Sequence, residues 1–285
     1  MGTFLILWVT DFAARKLHNE VIDMFARSST IILIPSIIVG MGASLFHLGH
    51  PMEAFRAVTN FTTSWLSKEI VLFNVFLVLV SFYIYLWWRK MEDSELRRLI
   101  GVATGMVGIA AVFSSSMIYQ LPSHPGWNHW TNIASFFVST LLMGGAVTAA
   151  IYRIAHKRLT NIMKTEAEKH VVFFHQRNAS LNFSILSIIH IVLIVIYLTY
   201  LSTAGEAGFQ SKLLMFSTYK ILFLIRFVLG LAIPIILSLS ALFFLYRKLS
   251  FRAEVLLTIA VVFILTGEVC GRVLFFATAV PLPVG

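Results

Sequence analysis

Long apolar runs separated by short polar connections dominate this chain. Seven of the runs reach about 20 residues, the length that an α-helix needs to cross the hydrocarbon core of a bilayer. They lie near residues 29–48, 69–88, 99–119, 133–152, 181–201, 221–246 and 254–280. The pattern predicts an all-α integral membrane protein in which residues 1–285 form a single polytopic domain.

The opening run, residues 1–14, is apolar but too short to cross a bilayer comfortably. Arg15 and Lys16 follow it and no basic residue precedes it, which is the reverse of a secretory signal. The run is therefore either the end of a truncated eighth span or a short interfacial segment. With it, the predicted architecture is a bundle of eight transmembrane helices, of which the first is short and seven are full spans.

Composition and charge indicate the class and the orientation of the bundle. With 58% hydrophobic and 12% charged residues, the chain has more apolar surface than a soluble domain can bury in its core. Of the 22 Lys and Arg residues, sixteen fall in the alternate connections around residues 20, 94, 166 and 250, and four fall in the other three connections. The positive-inside rule then places the four basic connections in the cytoplasm and both termini outside. The net charge of +9 thus reflects topology rather than a nucleic-acid partner.

Several kinds of cofactor site lack the residues that they need. The single cysteine, Cys270, cannot by itself hold a disulfide, a thiolate zinc site or an iron–sulfur cluster. A bis-histidine haem needs two imidazoles at one depth on facing helices, and only His190 lies deep in an apolar run. We therefore expect no haem, metal ion or iron–sulfur cluster in this protein.

His47 and Glu69 form the leading candidate site. Each lies where an apolar run meets the same connection, and the predicted orientation puts both at the outer surface. Taken singly, an imidazole suits a membrane interface, and a carboxylate in the first turn of a helix is stabilised by about 0.3–1 kcal/mol. Together they offer a hydrogen-bond partner for each of two oxygens on a ring substrate and a base that passes a proton to water, as a two-electron, two-proton oxidation requires.

Glu268 and Arg272, one helical turn apart in the last run, are secondary candidates. Ionisable residues inside a bilayer are costly, so they pair or face a cavity, and a functional role is the default hypothesis. The alternative is a self-neutralising pair within one helix, with Gly267 and Gly271 allowing a neighbouring helix to approach closely. The sequence leaves both alternatives open.

Three motifs resemble the membrane anchor subunit of anaerobic dimethyl sulfoxide reductase, in order and in spacing along nearly the whole sequence. They are His47-Leu48-Gly49-x-Pro51-Met52-x-Ala54-Phe55, Leu66-Ser67-Lys68-Glu69-Ile70 and Gly267-Glu268-x-x-Gly271-Arg272-x-x-Phe275. The resemblance implies a haem-free bundle of eight spans in the cytoplasmic (inner) membrane of a bacterium, with both termini outside.

The resemblance also implies a chemistry and two partners. The anchor would hold an iron–sulfur subunit and a molybdopterin catalytic subunit at the membrane, oxidise menaquinol near the outer face and pass electrons to the iron–sulfur subunit in anaerobic respiration. His47 and Glu69 match residues of the family's quinol site, and Gly49 and Pro51 belong to the same motif. Terminal substrate reduction would take place in a partner subunit. The outer loop at 120–132 is our candidate docking surface for the iron–sulfur partner.

Two other functions stay open at this point. The first is a proton-coupled transporter that uses Glu69 and Glu268. The second is the anchor of a related polysulfide- or tetrathionate-type reductase, which would differ only in the substrate of its partner subunit.

Overall fold

The computed structural model describes residues 1–14, 33–40, 42, 60–89, 94–159 and 166–282, which form helices joined by turns. Within these residues, six helices are long and apolar enough to cross a membrane: Trp65–Trp88, Glu95–Met117, Trp130–Ile154, Val172–Leu201, Lys220–Tyr246 and Ser250–Ala277. They match six of the seven predicted full spans, and the predicted span near 29–48 lies largely outside the described residues. The protein is therefore a helical, multi-pass membrane protein.

Residues Met1–Ile118 form one compact unit, called unit 1 here. Its described helices include α1 (Gly2–Ala14), α2 (Trp65–Trp88) and α3 (Ser94–Met117), and α2 packs along α3. The aromatic ring of Phe4 in α1 meets the rings of Phe76 and Tyr83 in α2 edge to face, at centroid distances of 5.8 and 5.3 Å. These buried rings form the core of unit 1.

Residues Tyr119–Gly285 form a second compact unit, called unit 2 here. In its described part, the helices at Trp130–Leu159 and Ser250–Ala277 pack against each other and against the helix at Glu166–Leu201. The core between them contains Leu142, Phe183 and Ile264. In sequence order the elements are α4 (Trp130–Leu159), α5 (Glu166–Leu201), α6 (Gly205–Phe216), α7 (Lys220–Leu224), a π-helical segment (Ile225–Ala232), α8 (Ile233–Tyr246) and α9 (Ser250–Ala277).

The π-helical segment interrupts the span at Lys220–Tyr246. Pro234 has no backbone N–H and cannot complete the hydrogen bond to the preceding turn that a regular helix would place there. The helix widens just before it, and the N–H of Ile233 donates to the carbonyl of Val228, five residues earlier. Such widened turns often occur at functional sites, and this one carries the buried Arg226.

Gly230 and Gly267 bring the π-helical segment directly against α9. A Cβ atom added to Gly230 would lie 2.5 Å from the Cα of Gly267, and one added to Gly267 would likewise clash with the Cα of Gly230. The close approach predicted for Gly267 is thus present, and its partner is a glycine on the neighbouring span. A Cβ at Gly271 would instead meet the side chain of Arg226, at 2.9 Å from Nε.

The substitution Gly267→Ala is expected to destabilise the protein by about 1–3 kcal/mol, because the new methyl group forces two backbones apart. The free energy of unfolding can be measured in detergent by titrating SDS and following helical circular dichroism. Gly105→Ala is the matched control, since the nearest atom to its added Cβ is 3.7 Å away. Equal stabilities of the two variants would contradict the tight contact.

Candidate functional site

Glu69 lies in α2 close to the end at which that helix begins. Ser64 caps the helix by accepting a hydrogen bond from the backbone N–H of Ser67 at 3.3 Å. Because α2 begins at Trp65, Glu69 lies beyond the first turn, and the first turn contains no acidic residue. Stabilisation by the helix dipole, which falls off within the first turn, therefore does not account for this carboxylate.

The partner of Glu69 comes from the neighbouring helix. The hydroxyl of Ser115, near the end of α3, donates a hydrogen bond to Oε1 of Glu69 at 2.5 Å. The rings of Trp65 and Phe113 meet edge to face beside this pair, at a centroid distance of 5.8 Å. Glu69 is therefore a half-buried carboxylate that accepts one hydroxyl hydrogen bond. It lies beside the rings of Trp65 and Phe113, which we call the aromatic wall.

Lys68 precedes Glu69 in the sequence but points elsewhere. Its ammonium group lies 4.1 Å from the ring centroid of Trp65, in a cation–π contact. In the described part of unit 1, Lys68 makes no ion pair with Glu69. Three other predicted site residues, His47, Gly49 and Pro51, lie outside the described residues. The pairing of His47 with Glu69 stays a prediction.

Unit 2 contains a second group of ionisable residues, deep inside its helices. Arg226 of the π-helical segment donates from Nη1 to Oε1 of Glu268 at 2.8 Å and from Nη2 to the ring of His190 at 2.9 Å. Nδ1 of His190 lies 3.8 Å from Oε1 of Glu268. Ser139 lies beside Glu268. All four residues are buried, and we call them the Arg226–Glu268 cluster.

The ion pair of Glu268 joins two helices and does not lie within α9. Glu268 bonds to Arg226, whereas the guanidinium carbon of Arg272 lies 4.1 Å from the ring centroid of Phe136. Among the described residues, Arg272 makes no ion pair with Glu268. Of the alternatives that the sequence left open for Glu268, the structure shows an ion pair with Arg226 of another helix rather than one with Arg272. The sequence did hold a signal for the true partners, since Arg226 and His190 both lie deep inside apolar runs.

A cavity of about 120 Å³ adjoins the Arg226–Glu268 cluster. Arg226, Glu268 and Arg272 line it together with aromatic side chains such as Phe136 and Tyr197. Two guanidinium groups and one carboxylate give its wall an excess of positive charge. Glu268 and Arg272, the two secondary candidates from the sequence, thus line the same cavity but do not form an ion pair with each other.

The connection that closes unit 2 at this end is held by several hydrogen bonds. The amide of Asn132 donates to the carbonyl oxygens of Gly126 and Trp127 at 3.0 and 2.7 Å. The indole N–H of Trp127 donates to the carbonyl oxygen of Phe275 at 2.8 Å. The hydroxyl of Tyr197 donates to the carbonyl oxygen of Gly126 at 2.7 Å. The predicted docking loop at 120–132 is thus fixed to α5 and α9, and its role in docking stays a prediction.

Breaking the buried pair from one side is expected to be costly. Glu268→Gln leaves the Arg226 guanidinium without a counter-charge, which should lower the free energy of unfolding by about 3–5 kcal/mol. Unfolding in SDS-containing detergent checks this, with the exposed Glu206→Gln as the control that should change little. The double variant Arg226→Leu, Glu268→Leu should recover much of the loss. If Glu268→Gln were as stable as the control, charge compensation would not be the role of this carboxylate.

Acidification is expected to loosen the region around His129, whose ring stacks on that of Tyr200 at a centroid distance of 3.9 Å. Burial lowers the pKa of His129 below its ordinary value of 6.5. In the unfolded state this histidine takes up a proton as the pH falls through about 6.5, while the folded protein resists protonation. Stability should therefore fall as the pH drops below this value. Thermal unfolding between pH 8 and pH 5 measures this, and His129→Gln should show a weaker pH dependence than the wild type.

Comparison with known proteins shows similarity to subunits of two kinds of sulfur-compound oxidoreductase. Anaerobic dimethyl sulfoxide reductase chain YnfH of Escherichia coli is 30% identical over 121 residues, which is 41% of either protein. A sulfite dehydrogenase subunit of Allochromatium vinosum is 31% identical over 140 residues, 46% of this protein and 43% of the relative. An anaerobic dimethyl sulfoxide reductase subunit of Haemophilus influenzae is 26% identical over 127 residues, 45% of either protein. The matched part thus spans less than half the length of each relative.

The sequence profile of one family covers far more of the protein. That profile, the DMSO reductase anchor subunit (DmsC), matches residues 1–278. The family resemblance predicted from the three motifs is thereby confirmed, and this protein belongs to the DMSO reductase anchor subunit family.

Proposed function

We propose that the protein is the haem-free anchor of a dimethyl sulfoxide reductase-type molybdoenzyme, and that it oxidises menaquinol near the outer face of the bacterial cytoplasmic membrane. Electrons would pass to an iron–sulfur partner subunit and from there to a molybdopterin catalytic subunit. Membership of the DMSO reductase anchor subunit family supports the anchor role and favours it over a proton-coupled transporter.

The observation that carries the quinol proposal is the hydrogen-bonded carboxylate of Glu69. Ser115 occupies one position on Oε1, at 2.5 Å. An ionised carboxylate has about four lone-pair positions, so most of its accepting capacity stays available to a ligand hydroxyl. The aromatic wall of Trp65 and Phe113 offers an apolar surface beside it for a quinol ring.

The proposed reaction divides protons and electrons between two routes. Glu69 accepts a hydrogen bond from one ring hydroxyl of menaquinol and then its proton, and His47 does the same at the other ring oxygen. Two electrons leave to the iron–sulfur partner, and two protons pass from the protein to the outer water. The quinone product then leaves to the bilayer.

The charge distribution of unit 1 supports an outer position for this site. Glu69 and Ser115 lie at one end of the α2–α3 pair, and Arg89, Arg97 and Arg98 lie at the other. By the positive-inside rule the arginine end faces the cytoplasm. Glu69 then faces the outer side, and the protons that it accepts from the quinol would be released to the outer water.

A second candidate is the same site working in reverse. One relative is named as a subunit of a sulfite dehydrogenase rather than of a reductase. In a dehydrogenase complex electrons would flow from the partner subunit into the anchor and reduce menaquinone. Glu69 and His47 would then supply two protons to the ring oxygens instead of accepting them.

Glu69→Gln is expected to lower the rate of quinol oxidation by about 10²–10⁴-fold, because the amide cannot accept a proton. His47→Ala should also lower it, and Ser115→Ala should have a smaller effect in the same direction. The rate is measured with a soluble menaquinol analogue in membranes that contain the protein with its partner subunits at equal expression. The titration of a fluorescent quinol-analogue inhibitor reports binding separately.

Glu95→Gln is the matched control, since it makes the same chemical change at an exposed carboxylate at the other end of the α2–α3 pair. It should leave both readouts unchanged. Wild-type rates in Glu69→Gln and in His47→Ala, with the complex assembled, would remove these two residues from the reaction.

A further inference from the structure

A row of buried polar side chains runs along one face of α5. Its members are spaced four, four, three and three residues apart, which keeps them on the same side of a helix, and each is at most 4% exposed: Gln176, Ser180, Ser184, Ser187 and His190. From the first to the last, the helix rises about 21 Å. The row thus covers about two thirds of a hydrocarbon core that is about 30 Å thick.

Helix α9 carries a matching pair of carboxylates. Glu254 and Glu268 are both buried and are separated by the same number of residues as Gln176 and His190, close to four full turns. Each bonds to an arginine of another helix: Arg153 lies 2.5 Å from Glu254, and Arg226 lies 2.8 Å from Glu268. The polar row on α5 therefore begins beside one arginine–glutamate pair and ends beside the other.

Cavities mark both ends of the row. The cavity at the first end measures about 270 Å³ and is lined by Gln176, Arg153, Glu254 and Thr258 among others. The cavity of about 120 Å³ described above lies at the second end and is lined by His190. Since one water molecule takes up about 30 Å³ in the liquid, both cavities have room for more than one.

Two members of the row need partners that the described residues do not supply. The amide nitrogen and oxygen of Gln176 are fully buried and have no hydrogen-bond partner among the described residues. The same is true of the Ser187 hydroxyl. Leaving such a group unpaired is unfavourable, and polar groups beside a roomy cavity commonly bind water instead. We therefore expect the amide of Gln176, which lines the larger cavity, to bind ordered water there.

Hydroxyl groups lie between the two cavities. Ser180 donates to the carbonyl oxygen of Gln176 at 2.8 Å, and the hydroxyls of Ser184 and Ser238 of α8 lie 2.6 Å apart. Successive serines on one helix face are about 5–6 Å apart, which is too far for a direct hydrogen bond but suits one bridging water. A hydroxyl both donates and accepts, so serines and waters in alternation can pass a proton along.

We propose that unit 2 contains a hydrated access path for protons, which follows this face of α5 from the Arg153–Glu254 cavity to the Arg226–Glu268 cluster. Each transfer moves one proton from an oxygen to the next, and the hydroxyls and waters then reorient for the next transfer. The positive charges of Arg226 and Arg272 repel a proton beyond Glu268, so the path ends at the cluster. The buried cluster thereby exchanges protons with one aqueous side only, and this does not depend on quinol chemistry at Glu69.

The test uses thiol accessibility in the full-length protein. In a Cys270→Ala background, Ser180→Cys, Ser184→Cys and Ser187→Cys place thiols along the path, with Ile185→Cys and Ile188→Cys as controls on the exposed face of the same helix. Thiols react as thiolates, which form in water and not in lipid. Silver ions, which are small and hydrated, are added to sealed vesicles of either orientation. The thiols left unreacted are counted with a fluorescent maleimide after denaturation.

The path variants should react at least tenfold faster than the two controls when silver is added on the side of Glu254. Adding Gln176→Leu should slow the reaction of Ser187→Cys by a similar factor, whereas Thr199→Val on the exposed face should not. Three path positions are used so that one poorly folding variant leaves the others to decide. Rates equal to those of the controls, or reaction only from the side of Glu268, would overturn the proposal.

Discussion

The buried bond between Arg226 and Glu268 is the constraint on which unit 2 depends. A guanidinium group stays charged in any protein environment, so an arginine inside a bilayer needs an anion and hydrogen-bond acceptors close to it. Glu268 supplies both from a different helix, with its Oε1 2.8 Å from Nη1 of Arg226. Next to this bond Gly230 and Gly267 let the backbones of the two helices come very close, because neither has a side chain. The glycines, the proline-induced widening and the ion pair are thus parts of one arrangement.

The two candidate carboxylates differ in how they are satisfied, and this difference separates their roles. Glu69 accepts a hydrogen bond from a neutral hydroxyl and keeps most of its accepting capacity. Glu268 is neutralised by an arginine and enclosed by further partners. A group of the first kind suits a substrate that arrives with protons to lose. A group of the second kind suits a charge that is held in one position inside the helices.

The sequence predicted the spans well because length and hydropathy are local properties of a run. It could not predict which face of each span is buried, since these helices are apolar on nearly every side. The partner of Glu268 could not be predicted for a related reason. Arg272 is the nearest cation in sequence, but it turns toward Phe136, and Arg226 arrives from another span. Glu69 lies past the first turn because Ser64 caps the helix earlier than hydropathy indicates.

The π-helical segment also sets the angular phase of its span. In a straight α-helix, residues twelve positions apart such as Arg226 and Ser238 point in directions that differ by about 120°. The helix is widened over Ile225–Ala232 and turns less per residue there, so it holds one more residue than an α-helix with the same number of turns. One residue corresponds to about 100° of rotation, which reduces the difference in direction from about 120° to about 20°. Arg226 and Ser238 therefore both face α5, where they meet His190 and Ser184. Because of the widened turn, one helix presents two polar side chains to the same neighbouring helix, α5, at two different depths in the membrane.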